Sequence, residues 1–225
     1  MKLYANPIST CSLPILLFLA EHETAVELVN LDIQNGEQFS PEFTAVNPNN
    51  AVPAFRDGNF VLTECSAILK YLADSFSSPS YPEDLRERAR VNEAMDWFNT
   101  GFYRDMGYGV VYPQINPAQH GFSSRATQSD VMLRGDERSA VWFSVLNNHW
   151  LSNTDYCCGS ELTLADYLGS CFVAIGDWVD FDMGSYPNVM RWMARMKARP
   201  SWAATHGPWD VFVVYLRSQA SLRPR

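Results

Sequence analysis

No apolar run in the 225 residues approaches the ~18 that a membrane-spanning helix needs, and the opening MKLYANPIS carries no apolar signal core. The cytoplasm is therefore the expected compartment. Basic runs are missing too. Lysine and arginine number 17 against 25 acidic residues, a net charge of −8 with histidine neutral. Such a balance makes nucleic acid and anionic membrane poor partners. Cysteine is scarce: Cys11, Cys65, Cys157, Cys158 and Cys171 are odd in number and form no CxxC pair. Neither a disulfide framework nor a zinc site is indicated, and no metal is expected. Internal repeats and low-complexity segments are absent as well.

What the chain does contain is core-forming material, 47% hydrophobic and 13% aromatic, which excludes a disordered protein. The length allows one large domain or two smaller ones. Lys2 to Ala5 reads as a short strand, followed by a loop, Asn6-Pro7-Ile8-Ser9-Thr10-Cys11-Ser12, rich in hydroxyl and thiol groups. A helix is predicted from about Leu13 to His22, with Pro14 tolerated in its first turn. The loop thus aims nucleophile-type side chains at a helix N-terminus. A second strand follows at Val26 to Leu31 and a short helix at Pro41 to Val46.

The stretch Asn47 to Lys70, NPNNAVPAFRDGNFVLTECSAILK, organises the rest. Pro53 interrupts a strand-like run from Ala51 to Phe55. Lacking an N–H for a ladder, it belongs at an edge, a bulge or a cis bond. Asp57-Gly58 signals a hairpin with Asn59 to Leu62 as the return strand. Thr63 or Glu64 then caps a helix whose Ile68, Leu69 and Leu72 recur at helical spacing. The free N–H groups at its start favour a carboxylate ligand. The resulting β-α-β-(α)-β-β-α order is thioredoxin-like, with one parallel pair and one hairpin.

Asp74 to Glu83, dense in serine and proline, is the best domain boundary. Helices are predicted from Leu85 to about Met106, Ala126 to Leu151, Thr163 onward, Pro187 to Ala198 and Pro208 to Ser218. Gly107 to Ser124, with its glycines and prolines, reads as a loop. Thr163-Leu164-Ala165-Asp166 resembles a capping box, so Asp166 is assigned a structural role. The fold class is α/β plus all-α: a thioredoxin-like domain over 1–76, a linker over 77–83 and a helical bundle over 84–225.

NPNNAVPAF followed by LTECSAILKYLA resembles the glutathione-binding half of the cytosolic glutathione transferases, and TLADY resembles a capping box of their helical domain. The likeness spans nearly the whole chain and is to theta- or beta-like bacterial types. It implies an enzyme that holds glutathione as co-substrate and activates its thiol for attack on a small hydrophobic electrophile, in a homodimer, in detoxification. The serine-type members place their donor after a Pro-x pair, which makes Ser9 the first candidate and Thr10 and Cys11 its rivals, with Ser12 behind them. A hydroxyl donor near a helix N-terminus lowers a thiol pKa from its usual ~8.5. Tyr4, on the strand before the loop, is a weak candidate.

The same resemblance implies that the backbone of Val52, ahead of cis-Pro53, pairs with the cysteinyl part of glutathione. Glu64 and Cys65 hold the γ-glutamyl end, and Gln38 lies near the glycyl carboxylate. Cys65 replaces the family's usual serine and is a poorer donor. Ala51 stands where many relatives have a contacting glutamine. The electrophile pocket is expected from Phe98, Asn99, Phe102, Tyr103 and Met106 of the first long helix, with Trp209 and Phe212 from the tail. Of these, Phe98 and Phe102 also read as core, and Arg104 as a surface or interface charge. Two other functions fit the resemblance: glutathione-dependent thiol-disulfide or dehydroascorbate-type reduction through Cys11, and a non-catalytic binding or stress protein.

Overall fold

The computed structural model describes residues 1–22, 24, 26–115, 121, 122 and 124–218, with the backbone alone at 217. Alternation in Lys2–Ala5 (β1) sends Leu3 and Ala5 into the core and leaves Lys2 and Tyr4 half-buried. The helix Leu13–Glu21 (α1) covers that face and returns the chain to Glu27–Asn30 (β2), parallel to β1 from Lys2↔Glu27 to Ala5↔Asn30. After Pro41–Thr44 (α2), strands Ala54–Asp57 (β3) and Phe60–Thr63 (β4) form the hairpin. Gly58 turns it at φ +57°, a conformation glycine adopts without steric cost. The sheet order is β2-β1-β3-β4, with β3 antiparallel to β1. Cys65–Ser75 (α3) closes this layer.

Two strand boundaries differ from expectation. Pairing of β3 begins at Ala54 rather than Ala51, because a left-handed Asn50 and the cis Val52–Pro53 bond keep the preceding residues out of the ladder. The return strand accordingly starts one residue late, at Phe60.

The segment after α3 is tied down. His22 Nε2 lies 2.9 Å from Ser78 Oγ, and the Leu164 N–H donates to the Ser80 carbonyl. Helix Leu85–Asp96 (α4) follows, its first N–H groups accepted by the Asp84 carboxylate. It does not end at Met106. The chain continues in π-helical turns over Trp97–Phe102 and Arg104–Val111 and then as Tyr112–Ile115 (α5). The expected loop is thus helical through residue 115, and its residues 116–120 and 123 lie outside the described residues. Packing explains the difference. Gly109 faces Gly135 of Arg125–Val145 (α6), and a Cβ on Gly135 would lie 2.5 Å from the Gly109 backbone. That glycine serves close helix contact, where the sequence suggested a break.

Beyond α6 and its π-helical end, Leu146–Trp150, come Leu164–Ala174 (α7), Pro187–Lys197 (α8) and Pro200–Ser218 (α9). The last helix starts eight residues before the expected Pro208, which lies inside it. A buried stripe at helical spacing, Trp202, His206, Trp209 and Val213, carries the helix through the proline. The capping box forms: Asp166 is fully buried and accepts from Thr163 N–H and Oγ1–H, Cys157 N–H and Trp192 Nε1–H. Glu21 at the end of α1 pins the two layers together, accepting from Tyr167, Ser201 and both Nε and Nη2 of Arg199. Among the described residues no helix is long and apolar enough to cross a membrane.

Candidate active site

The loop between β1 and α1 is shaped by Asn6. Its Nδ2 donates to the Leu31 carbonyl at 2.7 Å, and its Oδ1 accepts from Ile8 N–H at 2.9 Å. Ser12 is fully buried and its Oγ accepts from Asn6 N–H, so it serves the loop's own structure. Ser9 is half-buried. Its carbonyl accepts from the N–H groups of Ser12 and Leu13, and its Oγ also accepts from Ser12 N–H at 3.3 Å. No acceptor among the described residues takes the Ser9 hydroxyl proton. Thr10, only 3% exposed, is engaged through Oγ1 with the Tyr112 hydroxyl at 3.0 Å. Cys11 is half-buried, its Sγ 3.9 Å from the Tyr103 hydroxyl. Burial pushes the Cys11 thiol up to about 11, outweighing the Tyr103 contact that lowers it, and Glu64 adds to the rise.

The second wall comes from residues 47–67. Asn47, buried, holds the turn by donating to the Ala51 carbonyl at 2.6 Å and accepting from Asn49 N–H. This delivers Val52, half-buried, just outside the sheet ladder. Glu64 stands before α3 at φ +69°, and its exposed carboxylate caps nothing. A left-handed conformation in a residue with a Cβ costs on the order of 1–3 kcal/mol, and such residues cluster at ligand clamps. Sequence reasoning expected an ordinary cap there; the cap position is right and the side-chain bond is absent. The Ile68 N–H makes the first bond of α3, to the Glu64 carbonyl, so the N–H groups of Cys65, Ser66 and Ala67 precede the helical ladder. Cys65 is buried, and burial raises its thiol well above its usual value, with Cys11 and Cys171 close enough to contribute. Gln38 lies in the turn Glu37–Phe39, its Oε1 buried with no hydrogen-bond partner among the described residues.

The third wall is helical. Tyr103 is 9% exposed and stacks on Phe172 at 4.2 Å, and its hydroxyl bonds that of Tyr112. Burial raises both phenols. Tyr108, largely exposed, sets its ring edge-on to Tyr103 and Tyr112 at 5.5 and 5.2 Å. Sequence reasoning missed Tyr108 and Tyr112, which fall in the stretch read as a loop. Their signal was the aromatic spacing 103, 108 and 112, legible only once the π-helical turns are known.

The other expected pocket residues separate from this cluster. Phe102 and Met106 are fully buried, Phe102 among Trp97, Phe98 and Phe143, and neither offers surface to a ligand. Trp209 is buried against Trp178, whose ring in turn lies 6.2 Å from that of Tyr112. Phe212 is half-buried on Trp178, and Asn99 half-buried on the π-helical turns. Tyr4 packs against Phe43, away from the loop hydroxyls. Arg104 is exposed and paired with Asp105. Among the described residues no group of His, Cys, Asp or Glu could hold a metal ion.

Fold and site together define a thioredoxin-like layer joined to a helical layer, with a hydroxyl-bearing loop where they meet. The comparisons narrow the class. The domain models "Glutathione S-transferase, N-terminal domain" and "Glutathione S-transferase, C-terminal domain" match residues 1–74 and 112–200. Glutathione S-transferase D6 of Drosophila melanogaster is 31% identical over 170 residues, 74% of each chain. Glutathione S-transferase theta-1 of Mus musculus is 29% identical over 219 residues, covering 88% of this chain and 82% of its own. A glutathione transferase homolog from Sulfitobacter, solved with bound glutathione, superposes with TM-score 0.76 at 24% identity, covering 90% of this chain and 95% of the other. The chain belongs to the glutathione S-transferase family, a family of transferases.

Proposed function

We propose that this protein binds glutathione as co-substrate and transfers its sulfur to a small hydrophobic electrophile, with Ser9 as the hydrogen-bond donor to the thiolate. The observation that carries the reading is the contrast within the loop. The Ser9 hydroxyl has a proton to give, whereas Thr10 is engaged with Tyr112 and the Cys11 thiol is held up at about 11. A thiolate is the nucleophile in disulfide exchange, so reduction through Cys11 is disfavoured at neutral pH. The γ-glutamyl carboxylate is assigned to the N–H groups opening α3 and its amine to the free Glu64 carboxylate. The Val52 backbone is assigned to the cysteinyl part, and Gln38, its amide turned to present N–H, to the glycyl carboxylate. Residues 1–76 form the glutathione-binding domain in this reading and 84–225 the electrophile-binding one. A cytoplasmic homodimer with a detoxifying role completes it.

Loss of one hydrogen bond to a charged sulfur costs about 1.5–3 kcal/mol. Ser9→Ala should therefore lower turnover roughly ten- to a hundredfold and raise the pKa of bound glutathione, read by ultraviolet titration. Cys11→Ala should keep turnover within a few-fold. The reverse pattern, with a mixed disulfide of Cys11 and glutathione seen by mass spectrometry, would establish the reductase instead. Turnover absent in the parent despite heat on glutathione titration would leave a binding protein.

A further inference from the structure

Asn6-Pro7-Ile8-Ser9 closes a turn in which the Ser9 N–H donates to the Asn6 carbonyl at 3.0 Å, with Pro7 presetting the second position. Inside it the Asn6 Oδ1 accepts from the Ile8 N–H at 2.9 Å, an Asx turn. The Asn6 Nδ2 reaches out of the loop and donates to the Leu31 carbonyl at 2.7 Å. Leu31 is a fixed anchor. Its own N–H donates to the Ala5 carbonyl, and the next N–H, of Asp32, is taken by the Glu37 carboxylate. The Asn6 N–H donates to Ser12 Oγ, and the Ser12 N–H donates to Ser9 Oγ, both at 3.3 Å. Ser9 is thus held from two sides: its carbonyl, taken by the Ser12 and Leu13 N–H groups, ties it to α1, and the Asn6 amide ties it to the end of β2. Asn6 is buried, so its amide has no solvent to turn to if either bond is lost. Aspartate would set an oxygen against the Leu31 carbonyl, and glutamine is a methylene too long for the turn.

We infer that Asn6 is a positioning residue for thiol activation: through the turn and the tie to β2 it fixes the direction of the Ser9 hydroxyl. This rests on the assignment of Ser9 above. A hydrogen bond to a thiolate is steep in distance and angle, so a loop free to shift by an ångström loses most of what Ser9 supplies. The anchors assigned to the rest of the tripeptide, Val52, Glu64 and the start of α3, lie in another stretch of chain whose turn is held by Asn47. Loss of the Asn6 amide therefore acts on the thiol and spares binding. The effect has a ceiling, because a residue that works through Ser9 costs no more than Ser9 itself.

The test is a double-mutant cycle of Asn6→Ala and Ser9→Ala, read as the thiol pKa of bound glutathione by ultraviolet titration. Asn6→Ala should raise that pKa by about a unit, a roughly tenfold smaller thiolate fraction at neutral pH. Glutathione affinity by calorimetry at about pH 5, where the thiol stays protonated free or bound, should hold within a few-fold. In the Ser9→Ala background the same substitution should leave the pKa where Ser9→Ala alone puts it. Asn6→Ser, whose hydroxyl can still take the Ile8 N–H but cannot reach Leu31, should give the same pattern at smaller size. It serves in place of Asn6→Ala should that variant lack a cooperative urea transition, and its own failure to fold would make Asn6 a folding residue and overturn the inference. Equal pKa shifts in both backgrounds, or an unmoved pKa, would overturn the positioning role while leaving the transferase reading intact. A Ser9→Ala variant with the parent's thiol pKa would remove Ser9 from activation and the role of Asn6 with it.

Discussion

Along residues 47–67 the groups left outside the regular ladders are mostly backbone: Val52 outside the sheet ladder, and the N–H groups of Cys65, Ser66 and Ala67 at the start of α3, with Glu64 held at φ +69°. On the helical side they are hydroxyls, Tyr103 and Tyr112, which flank the π-helical turn Arg104–Val111 and touch side chains of other elements. The wall at residues 47–67 lies within some twenty consecutive residues, where hairpin and helix start dictate its shape. The second depends on helix register set by contacts far away in the chain. Asp105 shows how: its carboxylate takes Trp142 Nε1–H and pairs with Arg138 of α6, besides Arg104. The Arg104 bond, set against burial and helped by Trp142, holds its pKa down at about 2. A backbone-built wall suits a constant ligand such as a tripeptide. A side-chain-built wall can be altered without disturbing the backbone-built one.

The contrast can be broken most forcefully at Asp166, which underlies both walls because α7 also carries Tyr167 to Glu21. Asp166→Ala leaves the N–H groups of Thr163 and Cys157 and the Trp192 indole without their acceptor. The expected loss is about 3 kcal/mol or more, read as a lower midpoint in urea. A midpoint unchanged within error would remove Asp166 from the fold's supports.

Gly135→Ala should separate the walls. Its Cβ would meet the Gly109 backbone at 2.5 Å, so α6 and the π-helical turns must move apart, at about 1–3 kcal/mol. Glutathione affinity should stay near that of the parent while turnover falls, since Tyr103 and Tyr112 flank the displaced turn. Equal losses of affinity and turnover would show that the walls are coupled.

The smallest effect is a rate profile. With the Cys11 thiol near 11, its alkylation by iodoacetamide, followed on the Cys11 peptide by mass spectrometry, should rise about tenfold per pH unit from 7 to 10 without levelling. The sign follows from the raised value: thiolate is the minor form until pH approaches 11. A plateau by pH 8 would mark Cys11 as an activated nucleophile and return the reductase reading.

Reading the chain alone was enough for the order of the α/β layer, the hairpin at Asp57-Gly58, the helix starting after Glu64 and the capping box at Thr163 to Asp166. Each of these is written in neighbouring residues, through a turn's φ requirement, a cap three positions away or a two- or fourfold apolar spacing. Only the folded chain decided that Gly109 meets Gly135, that α9 runs through Pro208, that desolvation raises the Cys11 thiol to about 11 and that Tyr112 reaches Thr10. Those outcomes come from packing and desolvation between residues tens of positions apart. Glycine and proline read locally as breaks, and a buried partner across the core reverses that reading.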